Sequence, residues 1–98
     1  MPSARRLAPS YSARPVSDVD VLTAAGLDNA LIGIAQRCGQ PTLAIYSVPS
    51  VIEILMDRDG MSEEEAYEFF SFNIEGAWVG PMTPVFVHPC SAGDLQMH

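Results

Sequence analysis

Residues 59–85, DGMSEEEAYEFFSFNIEGAWVGPMTPV, specify a capped amphipathic helix, a glycine-punctuated turn and a closing strand. Ser62-Glu63-Glu64-Glu65 has the form of a capping box. The Ser62 hydroxyl can accept from the Glu65 amide, and the Glu65 carboxylate can reach back to the Ser62 amide. Three glutamates in the first turn also face the positive end of the helix dipole. The triplet can also be read as a metal or partner site, but helix initiation explains it without further assumption. The helix is expected to run to about Glu75 and to stop at Gly76. Projection at ~100° per residue gathers Ala66, Tyr67, Phe69, Phe70 and Ile74 on one arc, with Glu64, Glu68, Ser71 and Glu75 opposite.

Two residues break this pattern. Asn73 falls inside the apolar arc, so its amide should be buried and needs partners. A structural amide tying the helix end to the Gly76–Gly80 turn is favoured over a ligand-binding one. Phe72 falls among the glutamates. Its ring is either covered by the N-terminal segment or a loop, or it is an interface anchor ringed by carboxylates.

Outward from this block, Ser47-Val48-Pro49 opens an earlier helix, with Ser47 as N-cap and proline in the first turn, where the missing N–H has no helical partner. Val48, Val51, Ile52, Leu55 and Met56 form its core-facing stripe, and Asp59-Gly60 ends it. Thr42–Tyr46 reads as a strand, after a Cys38-Gly39-Gln40-Pro41 turn. Ala30–Arg37 fits a helical stripe or a buried strand, and the turn beside it favours a strand and hence a hairpin. Ser17–Gly26 reads as a short helical turn, with Ser17 and Asp20 as its cap. Thr83–His88 is the final strand, with Pro84 at its start or on an edge. Residues 1–16 read as a flexible arm and 91–98 as a flexible tail, leaving 17–90 as one domain. The expected fold is α+β: a small, mostly antiparallel sheet, a hairpin plus a C-terminal strand, packed against two consecutive helices.

The net charge of −7 is unevenly spread. Arg5, Arg6 and Arg14 lie in the first fourteen residues, which hold no acid; from Pro15 onward two arginines face twelve carboxylates, a balance of −10. Such a body is repelled by phosphate backbones, which disfavours direct nucleic-acid binding. It suits a basic partner surface, including one built for nucleic acid, although solubility alone also explains the charge. The charged share of 17% leaves room for an exposed apolar patch and so for a partner or self-association. No apolar run reaches the ~18 residues of a membrane span, and the arginine-bearing N-terminus lacks the apolar core of a secretory signal. A bacterial cytoplasmic location is the expectation, with Cys38 and Cys90 as free thiols.

Catalytic motifs are weak. His88-Pro-Cys90, with Cys38 and His98, lacks the paired short spacings of a zinc site. A Cys38/His88 nucleophilic pair needs the hairpin turn to meet the last strand. Gly76, Gly80 and their neighbours lack the lysine and spacing of a phosphate loop. The carboxylates of the second helix sit on its wet face, where they stay solvated and suit no acid–base chemistry. No catalytic residue, metal or cofactor is expected.

The pattern IEILM-x-RDGMS-x-EEA-x-EFF-x-FN-xx-GAWVG-xx-TPVFV, preceded by ALIGIA and AIYS, resembles a family of small uncharacterised proteins of bacterial viruses and prophage-like regions, over roughly residues 28–88. In that family an acid usually follows the AIY tyrosine and a cysteine lies in the next helix. Ser47 and Val51 stand there in this chain, so a site built on that acid or thiol would be absent. The resemblance implies an accessory protein that binds a host or viral protein, defence components included. Three functions are therefore expectations. The first is non-catalytic protein binding through the acidic helix face, with Phe72 at the centre and Glu64, Glu65, Glu68 and Glu75 around it. The second is an acidic mimic that inhibits a host defence or nucleic-acid-binding protein, anti-CRISPR-like in action. The third is a small-ligand binder or enzyme using the Asn73–Trp78 region.

Overall fold

A computed structural model describes residues 9–90 of the chain. Strand β1 (Tyr11–Val16) pairs antiparallel with β2 (Val19–Ala24) as a separate two-stranded sheet. Two residues join them, Ser17 and Asp18, both at positive φ (51° and 66°). That pair of dihedrals marks a type I′ turn, whose twist matches that of the flanking strands.

This hairpin corrects two expectations. The arm predicted over residues 1–16 is a strand from Tyr11 to Val16, while residues 1–8 lie outside the described residues. The strand is polar and tolerates Pro15 because among the described residues it borders only β2, and residues 12–15 are exposed. The helical turn predicted over Ser17–Gly26 is a turn followed by β2. Val19, Val21 and Thr23 recur at period two, and that alternation buries Val21 and Thr23. The tail predicted over 91–98 also lies outside the described residues.

After a single 3₁₀ turn, Asp28–Ala30, strand β3 (Leu31–Ala35) runs antiparallel to β4 (Leu43–Ser47), the hairpin the sequence suggested. The register slips between Leu31 and Gly33, which leaves Ile32 exposed. Helix α1 (Val48–Asp59) comes next without a linker. Ser47 takes the extended N-cap conformation without a side-chain cap bond. Val48, Val51, Ile52 and Leu55 are buried as the stripe requires, whereas Met56 lies at the stripe's margin and is part-exposed. Gly60 ends the helix at φ 71°, a left-handed position that glycine takes without steric cost.

Helix α2 (Glu63–Phe69) begins on the predicted capping box: Glu65 N–H donates to Ser62 Oγ at 3.2 Å, and Ser62 N–H to Glu65 Oε1 at 2.9 Å. The expected regular helix to Glu75 becomes a π-helical turn over Phe70–Glu75. Gly76 closes it at φ −78°; a Cβ there would meet the Ser71 carbonyl oxygen at 3.0 Å, tight contact that glycine avoids. Strand β5 (Val85–Val87), directly after Pro84, then joins the far edge of β4. This pairing is parallel, so the three-stranded sheet, ordered β3-β4-β5, is mixed. The two helices form the crossover that a parallel pair needs, and so part of the expected antiparallel character is lost.

The α+β core lies among both sheets and both helices. Its largest buried side chains are Tyr46, Phe70, Leu27, Leu55 and Ile74. Phe86 of β5 stacks on Tyr46 (centroids 5.7 Å apart) and meets Phe70 edge-on (5.4 Å), so one ring joins the sheet to the end of α2. Cys38 and Cys90 are exposed and unbridged. No helix among the described residues is long and apolar enough to cross a membrane.

Candidate functional site: an acidic aromatic helix face

Spacing along α2 builds the site. Residues four apart on a helix are neighbours, so Glu63–Tyr67–Ser71 and Glu64–Glu68–Phe72 form two adjacent rows. Together these six line a shallow, open concavity of about 600 Å³. Phe72 is 80% exposed and Tyr67 44%. The wall holds three carboxylates and two hydroxyl groups, with no cationic side chain to offset them. Such a face offers acceptors and π surface together, a pairing that suits an ammonium or guanidinium group.

The five residues expected to bind a partner do not all share this face. Glu64, Glu68 and Phe72 do. Glu65 is committed to the helix start through Ser62. Glu75 reaches the other way and meets His88 Nε2 at 3.0 Å, tying the π turn to the end of β5. Three further residues, Glu63, Tyr67 and Ser71, line the site that the sequence did not assign to it. Glu63 reads in the sequence only as a helix initiator, and Tyr67 only as part of the apolar arc. The i, i+4 spacing of Glu63, Tyr67 and Ser71 is the signal that places them.

Asn73 is half-buried, not inside the core, and among the described residues its side chain makes no hydrogen bond. The π turn is the reason: it widens the helix, so the ~100° projection drifts along Phe70–Glu75, and Asn73 leaves the core although Phe70 and Ile74 stay in it. Thr83 performs the tethering expected of Asn73. Its hydroxyl accepts from Val79 N–H at 2.9 Å and donates to the Gly80 carbonyl at 2.6 Å. Neither Asn73 nor Trp78 lines any of three cavities found at this acidic face, at the α1–β2 junction and along the outer side of α1.

Two further polar pairs shape the electrostatics. Arg14 of β1 forks onto Asp28 at 2.9 and 3.1 Å, an exposed bidentate pair that ties the hairpin to the 3₁₀ turn. The hydrogen bonds from Arg14, together with its charge, hold the Asp28 carboxyl below the usual range; the same bonds push Arg14 upward. Tyr46 Oη accepts the Ala24 amide hydrogen at 2.8 Å in the core. The Tyr11 hydroxyl is buried and finds no partner among the described residues. Desolvation, then the neighbouring Tyr46, raises its pKa; burial likewise raises that of Tyr46, against the bond from Ala24. Among the described residues, no three His, Cys, Asp or Glu side chains converge as metal ligands do.

The fold and this face define a small α+β domain bearing an uncompensated acidic and aromatic helix surface. No protein-family model, curated protein or solved structure matches the chain.

Proposed function

We propose that this chain is a non-catalytic accessory protein of bacterial-virus type, working in the host cytoplasm by binding a host or viral protein through the acidic face of α2. The observation that carries the reading is Phe72: a large ring, 80% exposed, within the π turn, one turn beyond Glu68 in the row that Glu64 begins. An exposed aromatic surrounded by like charges has no folding role to explain it, and aromatic side chains dominate binding hot spots. The carboxylates steer a basic partner to the face, and the ring anchors it. The resemblance over residues 28–88 supports the biological setting.

The test compares partner capture by wild type and Phe72→Ala from a bacterial lysate, with urea unfolding as control. Capture should fall while stability stays within about 0.5 kcal/mol, as for a surface change. Phe70→Ala, in the core beside it, should cost about 3–5 kcal/mol. Undiminished capture by Phe72→Ala would sink the reading.

The absence of any cation in the wall also favours the narrower reading of an acidic mimic, which occupies a nucleic-acid site on a defence protein. Binding would then weaken steeply with salt and compete with DNA or RNA. Salt-insensitive capture would leave only the general form of the proposal.

A further inference from the structure

The chain has five cationic side chains, all arginines. Arg14 is forked onto Asp28. Arg58 is forked onto Asp59 and also donates to the Gly26 carbonyl. Arg37 is exposed in the loop between β3 and β4, at the opposite end of β4 from the start of α1. None of these three lines the acidic concavity on α2. That leaves Arg5 and Arg6, adjacent in the acid-free segment MPSARRLA, residues 1–8.

This segment joins the fold beside α2. Pro9 lines a recess together with Phe69 and Ile74, and the Ser10 carbonyl accepts the Ala25 amide hydrogen at 2.8 Å, which fixes the exit point. Phe69 and Phe72 are three residues apart and so neighbours on the helix surface, with about 5–6 Å between Cβ atoms. An extended chain covers ~3.3–3.6 Å per residue, so Arg6 reaches ~10 Å from Pro9 and Arg5 ~14 Å before the side chain is counted. That span covers the step from the recess, past Phe69, to Glu68 and Phe72.

We propose that residues 1–8 fold back over the acidic face of α2 in the same chain, with Arg5 and Arg6 against Glu64, Glu68 and the Phe72 ring, as an internal competitor of the basic partner. The inference rests on the reading of that face as a binding surface and adds its regulation. Charge complementarity and tether length argue for this occupant. A guanidinium forks onto a carboxylate and stacks on an aromatic ring, and the concavity offers three carboxylates beside Tyr67 and Phe72. Exposed ion pairs are individually weak, so the contact is one that a partner can displace. A short tether holds the segment at an effective concentration in the millimolar range, enough to keep a weak contact mostly closed.

Full-length wild type and the double variant Arg5→Gln/Arg6→Gln are compared by NMR with no partner present. Wild type should show NOEs from the Arg5 or Arg6 side-chain protons to the Phe72 ring. The double variant should shift the Glu64, Glu68 and Phe72 amides, and about 0.5 M salt should move the wild-type amides toward the same positions. A hexa-arginine peptide is the probe for the face. The double variant should bind it at least about 3-fold tighter than wild type, because the face no longer has to be vacated. Arg37→Glu makes the same change in net charge in the β3–β4 loop and should match wild type. Amides unmoved in the double variant would overturn the proposal, as would an equal gain in affinity from Arg37→Glu. Shifts that vanish on dilution would overturn it too, and would place the segment on a second copy. These readouts need no cellular partner. Failed capture from a lysate with the NOEs present would therefore sink the partner reading alone, and capture without them would sink this one alone.

Discussion

The Ala24 amide hydrogen and the Tyr46 hydroxyl meet at 2.8 Å inside the core, and this bond joins the two sheets. Ala24 ends β2, and Tyr46 lies in the middle strand of the other sheet. Both are fully buried, so neither group has water as an alternative. Tyr46→Phe keeps the ring stacked on Phe86 but strands the amide. The expected loss is about 1–3 kcal/mol, the cost of an unsatisfied buried donor. Urea unfolding measures it, and faster amide exchange at Ala24 locates it.

The Tyr11 hydroxyl is the opposite case, buried with no partner among the described residues. Tyr11→Phe removes a group that gains nothing, so stability should hold or rise by up to about 1 kcal/mol. The pH profile should change as well. Burial raises the native pKa of Tyr11 above the unfolded value near 10. Folding therefore disfavours the phenolate: stability is fully present below pH ~10 and is lost as pH climbs through the native value. Tyr11→Phe should blunt that alkaline loss, as read from unfolding midpoints on the alkaline side. An unchanged alkaline limb would count against the assignment.

Ser62→Ala removes one half of the capping box. A lost N-cap costs about 1 kcal/mol, with a range of about 0.5–2. Helix α2 should fray at its first turn, visible as faster amide exchange at Glu65. Because α2 presents Glu63 and Glu64, partner capture should weaken too, though less than with Phe72→Ala.

Asp28 should titrate below the ordinary carboxylate value near 3.9, because Arg14 bonds its ionised form. The stabilisation is present above the unfolded pKa and fades as pH falls through the native one. Arg14→Gln should bring the Asp28 carbon-13 titration back toward the ordinary value. Both side chains are exposed, so added salt should shrink the difference.

Local chemistry made half of this architecture legible. The Ser62 box, the Gly60 stop and the stripe Val48–Leu55 involve residues within one or two helical turns, where spacing alone decides the outcome. The β3–β4 hairpin was readable from its glycine and proline. The β1–β2 hairpin was not, since its turn is Ser17-Asp18 without glycine and β1 has too few buried positions to print a pattern. The π turn was invisible for another reason. It spans Phe70–Glu75 with Phe70 and Ile74 buried, an outcome of tertiary packing that local spacing does not print, and Asn73 lies away from its expected place. Within the site, Phe72, Glu64 and Glu68 came from the helical projection. The diversion of Glu75 to His88 depends on a strand thirteen residues away, which no local rule reaches.

The parallel seam between β4 and β5 sets an order of assembly. Both hairpins close over a few residues, with Val16 beside Val19 and Ala35 beside Leu43. Ser47 and Val87, in contrast, are partners forty residues apart, and they can meet only once α1 and α2 have turned the chain around. Contacts of that span pay loop-closure entropy before they return any stability, so they form late. With three residues and, among the described residues, no strand on its outer side, β5 is the strand expected to dock last and detach first. Its departure carries off Phe86 and uncovers Tyr46 and Phe70, so one short strand acts as the clasp on the whole core.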